Sequence, residues 1–385
     1  MNALNRLIPA PPSWVIDWLG LEPQLQSFIS ALAKTQQNPL HHGEGDVWTH
    51  TKLVCQALTN MADFRSLDAD LRTALFLAAL LHDVGKPRTT RLEDGRWISP
   101  HHAAAGASLA RVFLWQSMGL CGTRPSQQLR EMICLLIRYH TIPTHMIDDP
   151  DAPRRLRVIA SHGALCPGFS VELLCILAQA DVQGRICTDQ GQLLDQIALC
   201  AELAKEMGCY AAPYPFPTVH TRFAYLSGRD ITPEIPLYDN TWGSVMMVSG
   251  LPGTGKDTWI ASNYPELPVI SLDDIRKELH ILPTDPQTVV VNTSRDRARQ
   301  LLRRKQPFVW NATNLTPQVR QHQLQLFADY GASTEIRYLE TTWEEQLRRN
   351  NRRSDAVPEA ASCSMLERLT PPGLYESQWV CWNTL

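Results

Sequence analysis

Hydrophobic and polar positions divide the chain into two regimes. From Asp46 to about Gly208, apolar residues recur at three and four positions in DVWTHTKLVCQAL, ALFLAALLHDVGK, AAAGASLARVFLWQSM, QLREMICLLIRYH and SVELLCILAQADVQGR. Gly, Pro and Asp hold the breaks between these runs, and the period predicts amphipathic helices nearly throughout. The stretch is roughly 160 residues long, the size of one domain. Beyond about residue 243 the pattern changes. Short runs of β-formers (VMMV, VISL, FVWNATN, TEIRYLE) alternate with helical stretches such as DDIRKEL, SRDRARQLLRRK and WEEQLRRNNRR. Such alternation predicts a parallel sheet with helices on its faces.

Four segments follow. Residues 1–45 carry Pro9, Pro11, Pro12, Pro23 and Pro39 around short helical patterns and read as an arm packing on the next domain. Residues 46–210 form the all-helical domain, 211–242 a Pro- and Tyr-rich ordered linker, and 243–385 the α/β domain. There is no internal repeat.

Composition narrows the function classes. The 385 residues hold 36 Lys+Arg against 39 Asp+Glu, net charge -3, which excludes a generally basic nucleic-acid coat. Contacts with nucleic acid must come from local basic runs, and Arg295 to Lys305 and Arg348 to Arg353 are the candidates. Ten cysteines lie scattered without a CxxC pair, which reads as reduced thiols in the cytoplasm. No stretch approaches the roughly 20 apolar residues of a membrane span, and the N-terminus has no signal-peptide pattern. A soluble cytoplasmic protein is expected.

The sharpest chemical signal is VMMVSGLPGTGKDTWI, Val245 to Ile260. An apolar strand runs into a glycine-rich turn and then into a helical pattern, which makes Gly250, Gly253, Thr254, Gly255 and Lys256 a phosphate-binding loop. Glycines let the backbone N–H groups converge on phosphate oxygens, the helix dipole adds positive potential, and Lys256 supplies a mobile cation. A nucleoside triphosphate, ATP or another, is the expected ligand, together with Mg²⁺. Asp257 occupies the place where a hydroxyl residue holds the metal, and Thr258 follows it. An aspartate there can ligate the ion directly while adding negative charge beside the phosphates.

In the helical region, His50, His82, Asp83, His102, His140 and Asp181 each fall at the polar end of an apolar helix. Such groups are costly to bury unless they bind something, and imidazole with carboxylate suits divalent metal ions. The order of these residues, in the contexts VWTHT, LLHDVGKP, HHAAAGASLA and ADVQGR, resembles the HD phosphohydrolases in their two-metal form. It is most similar to the HD module attached to bacterial tRNA nucleotidyltransferases. The resemblance covers roughly residues 40 to 190. It implies one ion on His50, His82, Asp83 and Asp181 and a second on Asp83, His102 and His140, filled by Mn, Ni, Co or a similar metal. It also implies Lys86 as a phosphate clamp, Asp83 as a catalytic residue, and a phosphomonoester or 2′,3′-cyclic phosphodiester as substrate. The spacing to Gly106 and Ala107 favours His102 over His101.

Beyond the loop, SLDDIRKEL puts Asp273 and Arg276 three apart on one helical face. A carboxylate able to accept a hydroxyl proton then sits beside a guanidinium able to hold a phosphate. WEEQLRRNNRR puts Arg349 and Arg353 four apart on one side of a helix, the expected form of a lid over the triphosphate. With NATN, whose Asn311 and Asn314 take no assigned role, these pieces resemble the 5′-OH polynucleotide kinase branch of P-loop phosphotransferases. That resemblance implies Asp273 as general base and Arg276 on the acceptor's 3′ phosphate. Zeta-toxin-like and small-molecule kinases share several of the same features.

Both halves in this order resemble the bacterial HD-domain polynucleotide kinases, which heal both ends of broken RNA. The implied protein is an all-α HD phosphohydrolase domain followed by an α/β P-loop kinase. It would act on RNA or DNA ends, with a separate ligase sealing the product. Two alternatives remain open at this level. One is a nucleotide or small-molecule kinase fused to a nucleotide phosphohydrolase. The other is an ATP-sensing module that regulates the HD site.

Overall fold

The computed structural model describes residues 7–353 and 355–385, so residues 1–6 of the expected N-terminal arm lie outside them. Contacts group the chain into two units, Met1–Leu120 with Pro125–Tyr214 and Cys121–Arg124 with Pro215–Leu385. Among the described residues no helix is long and apolar enough to cross a membrane.

The first unit is helical. Helix α1 (Val47–Asn60) starts at Asp46, whose carboxylate accepts from the backbone N–H groups of Trp48 and Thr49 at 2.9 and 3.0 Å. This satisfies donors that the first turn leaves free. Helix α2 (Ala69–Leu81) is capped the same way by Asp68. Every residue from Thr73 to Leu81 is buried. An apolar helix without a polar face can only be central, so α2 is the core element on which the others pack.

After α2, in a break between the expected helical runs, β1 (Arg91–Glu93) and β2 (Arg96–Ile98) form an antiparallel hairpin. Its turn is Asp94-Gly95, with φ +48° and +73°. Positive φ at both positions is what a two-residue hairpin loop demands. Then come α3 (His102–Gln116), α4 (Arg124–Tyr139), α5 (Ala152–Ser161), α6 (Val171–Gln183) and α7 (Gln190–Glu206).

A buried ion network ties α3 to α4. Arg111 and Arg130 both bond the Glu131 carboxylate, and the Arg130 guanidinium lies 3.9 Å from the centre of the Trp115 ring. A second close contact sits at the turn after α2. A Cβ on Gly85 would stand 2.1 Å from the His102 carbonyl oxygen and 2.5 Å from the Gly106 nitrogen. Backbone therefore rests on backbone where α2 hands over to α3.

The second unit holds a five-stranded sheet. The stretch read as a linker contains helix α8 (Val219–Leu226), capped by the Thr218 hydroxyl. Strand β3 (Trp242–Ser249), helix α9 (Lys256–Asn263), β4 (Val269–Ser271), α10 (Leu272–Glu278), α11 (Thr288–Arg303), β5 (Val309–Asn311), α12 (Pro317–Asp329) and β6 (Ala332–Glu340) follow. Helices α13 (Trp343–Asn350) and α14 (Glu359–Arg368) and strand β7 (Trp379–Thr384) complete it. The sheet order is β4-β5-β3-β6-β7, with every pairing parallel.

Both faces of the sheet are buried. On β3, Val245 and Met247 join one apolar cluster with Ile336 and Phe327, while Met246 and Val248 join another with Ile260. This is why the strand reads as a continuous apolar run and not as an alternation. Strand β7 was not among the expected elements, although WVCWNT pairs with the whole run from Glu335 to Glu340.

One expected helix is shorter than its charge pattern. Arg349 and Arg353 do not share a helix, because α13 ends at Asn350. The Asn350 side chain donates to the Val357 carbonyl at 2.7 Å and accepts from the Val357 N–H at 3.1 Å. An amide side chain that binds a distant stretch of backbone in this way competes with helix continuation. Arg353 therefore reaches its position from the turn beyond.

Candidate metal centre and phosphate-binding site

The six His and Asp side chains singled out from the helical region converge. His50 comes from α1, His82 and Asp83 from the end of α2, His102 from the first residue of α3, His140 from just past α4, and Asp181 from the last turn of α6. Their ligand atoms fall into three overlapping groups: His50, His82 and Asp83; His82, His140 and Asp181; and Asp83, His102 and His140. His82, Asp83 and His140 each belong to two.

The closest imidazole–carboxylate approaches are His50 Nε2 to Asp181 Oδ1 at 3.0 Å, His82 Nε2 to Asp83 Oδ2 at 3.1 Å and His102 Nε2 to Asp83 Oδ1 at 3.5 Å. His101 takes φ +59° in front of α3, and it is His102 that faces Asp83.

Local backbone sets the imidazoles. His82 Nδ1 donates to Ala79 O at 2.8 Å, His102 Nδ1 to Ser99 O at 2.8 Å and His140 Nδ1 to Ile137 O at 2.7 Å. Each ring bonds the carbonyl three residues back, which places its proton on Nδ1 and leaves the Nε2 lone pair facing the cluster. His102 Nε2 and His140 Nε2 then stand 3.3 Å apart. Two lone pairs at that separation call for a cation between or beside them. Among the described residues the buried atoms His82 Nε2 and Asp83 Oδ1 likewise lack a hydrogen-bond partner, an expensive state that metal ligation removes. The residues present thus fit divalent ions.

Charge follows the same logic. Burial pushes the Asp83 carboxyl up, but His82 and Lys86 outweigh it and hold the group well below the usual carboxylate range. Burial likewise opposes ionisation of Asp181, and Arg185 and His50 keep it well below that range. His140 is driven down to about 3 by burial and by its neighbours His82 and His102, so it is a neutral ligand at any ordinary pH. Burial lowers His102 too.

Lys86, expected as a phosphate clamp, is buried with its Nζ 2.7 Å from Asp83 Oδ2 and 2.8 Å from Gln37 Oε1. Two residues that sequence reasoning passed over also belong here. The side chains of His42 and Glu44 lie against His50, and the three form a fourth group of ligand-capable atoms. Their only signal was the HHGEGD string just ahead of α1.

In the second unit, β3 leads into the glycine loop and α9 begins at Lys256. Gly253 takes φ +80°, and a Cβ there would meet the Gln346 carbonyl oxygen at 2.5 Å, so only glycine fits. Lys256 Nζ donates to the carbonyls of Gly250 and Leu251 at 3.0 and 2.9 Å. Burial lowers its pKa to about 8, against the upward pull of Asp257 and Asp273. Thr254 is buried, with its hydroxyl on Leu251 O.

Asp257 accepts from Asn311 Nδ2 at 2.6 Å. Asn314 Nδ2 donates to Val248 O at 2.7 Å, giving both asparagines a role the sequence left blank: Asn311 ties β5 to the first turn of α9, and Asn314 ties the loop after β5 to β3.

A cavity of about 620 Å³ opens at the ends of these strands, with Lys256, Asp257, Asp273, Arg276, Arg349 and Arg353 on its wall. Gly255 and Thr258 line it as well. Its place, outside the carboxyl ends of a parallel sheet, is where such folds bind ligands. Asp273 is ion-paired to Arg276 and, at 3.3 Å, to Arg353. Burial pushes this carboxyl up, yet the two guanidinium groups prevail and lower it. Arg349 Nη1 reaches the Thr254 carbonyl at 3.3 Å. The structure therefore gathers the loop lysine, the carboxylates of Asp257 and Asp273 and three arginines around one cavity.

Residues 47–163 match the HD domain family and residues 245–372 match the AAA domain family. A protein of Halorhodospira halophila (strain DSM 244 / SL1) named "Multifunctional CCA protein" is 36% identical over 97 residues. The match takes in 25% of this chain and 21% of that protein, so the chain spans about a fifth of its relative. The chain carries, in this order, a helical HD domain with a His/Asp metal-binding cluster and an α/β P-loop domain of the kinase-like AAA type.

Proposed function

We propose that the protein heals both ends of a broken polynucleotide. The second unit phosphorylates a 5′-OH end from ATP, and the HD domain removes a 2′,3′-cyclic phosphate, a 2′-phosphate or a 3′-phosphate. The observation that carries this reading is the placement of Asp273 and Arg276 in the same cavity as Lys256. A sensor of ATP needs the lysine alone; transfer to a hydroxyl needs a base and a cation for the acceptor as well.

In the kinase step, the glycine loop and Lys256 hold the triphosphate, with Arg349 and Arg353 over it. Mg²⁺ would neutralise charge on the phosphates when bound, with Asp257 within reach as a ligand. The lowered Asp273 carboxyl is ionised at neutral pH and accepts the proton of the attacking 5′ hydroxyl. Arg276 holds the acceptor's neighbouring phosphate.

In the HD domain, His50, His82, Asp83, His102, His140 and Asp181 hold two divalent ions, which would supply an acidified water and charge for the phosphoryl oxygens. Lys86 and Arg185 keep the two aspartates ionised and oriented. The His102 side chain, at 18% exposure, is more open to solvent than those of His50, His82, Asp83 and Asp181, so a nucleic-acid end approaches along it. The products carry a 5′ phosphate and a free 3′ end, which a separate cytoplasmic RNA ligase would join.

The test is a single oligoribonucleotide with a 5′-OH and a 2′,3′-cyclic phosphate, incubated with ATP, Mg²⁺ and Mn²⁺. Asp273→Asn should lose 5′ phosphorylation by about a hundredfold or more and keep 3′ clearing; Asp83→Asn should do the reverse. Full transfer by Asp273→Asn, or activity confined to free nucleotides and indifferent to oligonucleotide length, refutes the reading.

A further inference from the structure

Three of the four cluster histidines fix their tautomer through a backbone carbonyl three residues back. His50 does not. Its Nδ1 has no hydrogen-bonded partner among the described residues, and the polar atom that faces it is Glu44 Oε1, 2.8 Å away. We infer that Glu44 is the positioning residue of the metal centre: it holds the proton of His50 on Nδ1, so that Nε2 presents its lone pair to the ion shared with Asp83 and Asp181. This rests on the His/Asp cluster being a metal site and is independent of the substrate the site acts on.

The Glu44 side chain is built for that task. It is 1% exposed, and both of its oxygens are engaged. Oε1 accepts from His42 Nδ1 at 2.8 Å, and Oε2 accepts from the Ile186 N–H at 2.8 Å. Gly43 N–H returns the connection by donating to the Ile186 carbonyl at 2.9 Å. The carboxylate is thus anchored from two sides, one of them the chain five residues beyond the ligand Asp181. Towards His50 the same Oε1 stands at hydrogen-bond distance, 2.8 Å from Nδ1. Nε2 on the opposite side of that ring lies 3.0 Å from Asp181 and 3.7 Å from Asp83. The geometry is a carboxylate–imidazole–metal relay, in which the outer carboxylate makes the imidazole a stronger and better-aimed donor.

His42 is not a fourth arm of the relay. Its Nδ1 is committed to Glu44 as a donor, and the ring packs edge-on against His50 with centroids 4.8 Å apart. It holds the carboxylate in place and contributes no ligand.

The experiment uses the full-length chain, stripped of metal and titrated with Mn²⁺ by equilibrium dialysis, with thermal unfolding of the metal-free proteins measured alongside. Glu44→Gln should bind Mn²⁺ about 10- to 100-fold more weakly than the parent protein. His42→Ala should stay within about twofold of the parent, since the carboxylate still faces His50. Glu44→Asp, which keeps the charge, should recover part of the affinity that Glu44→Gln loses. Unchanged Mn²⁺ affinity in Glu44→Gln overturns the inference. An equal loss in His42→Ala also overturns it, because His42, Glu44 and His50 would then hold an ion directly. If the parent chain binds no Mn²⁺, Co²⁺ or Ni²⁺ at all, it is the metal-site reading that fails.

Discussion

Lys256 makes nucleotide binding depend on pH in a way the structure allows to be worked out. Burial brings the ammonium of the free protein from an ordinary 10.5 to about 8. A bound triphosphate sets negative charge against it and returns the pKa to the ordinary range or above. Between those two values the free protein is largely neutral at this residue and the complex is charged, so binding takes up a proton. Affinity is therefore full below pH 8 and falls as pH rises through it.

At pH 9 about one tenth of the free protein carries the charge, so the dissociation constant should rise about tenfold from pH 7 to pH 9, about 1.4 kcal/mol. The whole shift of roughly 2.5 units, from 10.5 to about 8, caps the loss at about 3.4 kcal/mol. Calorimetric titration with Mg-ATP in buffers of different ionisation enthalpy reads the effect directly. The expected uptake is about 0.9 proton at pH 9 and about 0.1 at pH 7. Lys256→Arg, which stays charged throughout, should lose the dependence. Equal affinity at the two pH values with no proton uptake would refute the argument. The same shift acts on stability with the opposite slope: the unfolded chain binds more protons between pH 8 and 10.5, so the metal-free, nucleotide-free protein gains stability as pH rises across that window.

Two other perturbations follow from packing. Gly85→Ala forces a methyl group to 2.1 Å from the His102 carbonyl, so α3 must move away from the end of α2. Metal binding should fall by an order of magnitude or more while nucleotide binding is unchanged, as equilibrium dialysis for each ligand would show. Arg320 is fully buried, ion-paired with Glu376 and bonded to the carbonyls of Asn314 and Thr370 at 2.9 and 3.0 Å. Arg320→Ala leaves a buried carboxylate unpaired and should cost about 3–5 kcal/mol in urea unfolding of the P-loop unit; a cost below about 1 kcal/mol would contradict the buried geometry.

The parts of the fold written in local pattern were legible. The apolar run of α2 and the strand–loop–helix around Gly250 to Lys256 carry their own period, and the parallel sheet follows from strands alternating with helices. What escaped depended on partners distant in the chain. Strand β7 has little periodicity in WVCWNT and exists because β6 offers it an open edge. The end of α13 is set by Asn350 reaching Val357, which no arginine spacing encodes. Helix α8 was hidden by the prolines around it, and the β1–β2 hairpin by its setting, although Asp94-Gly95 is a turn signal on its own.

At the sites, the histidines stood out because each falls at the polar end of an apolar helical pattern. Glu44 did not, since an acidic residue in a polar loop is ordinary until the fold lays it against His50. The aspartate after Lys256 was visible as a departure from pattern, but its bond to Asn311 required β5 to lie beside β3.

The ion pairs of Asp273 bear on waste. A triphosphate held beside an unencumbered carboxylate is exposed to hydrolysis, because the same group that accepts a proton from an alcohol accepts one from water. In the resting structure that carboxylate is closed by Arg276 and Arg353. On the proposed reading, the arriving strand competes for Arg276 through its phosphate, and the triphosphate competes for Arg353. The carboxylate is then released only when both have arrived, and ATP is consumed when there is an end to receive its phosphate.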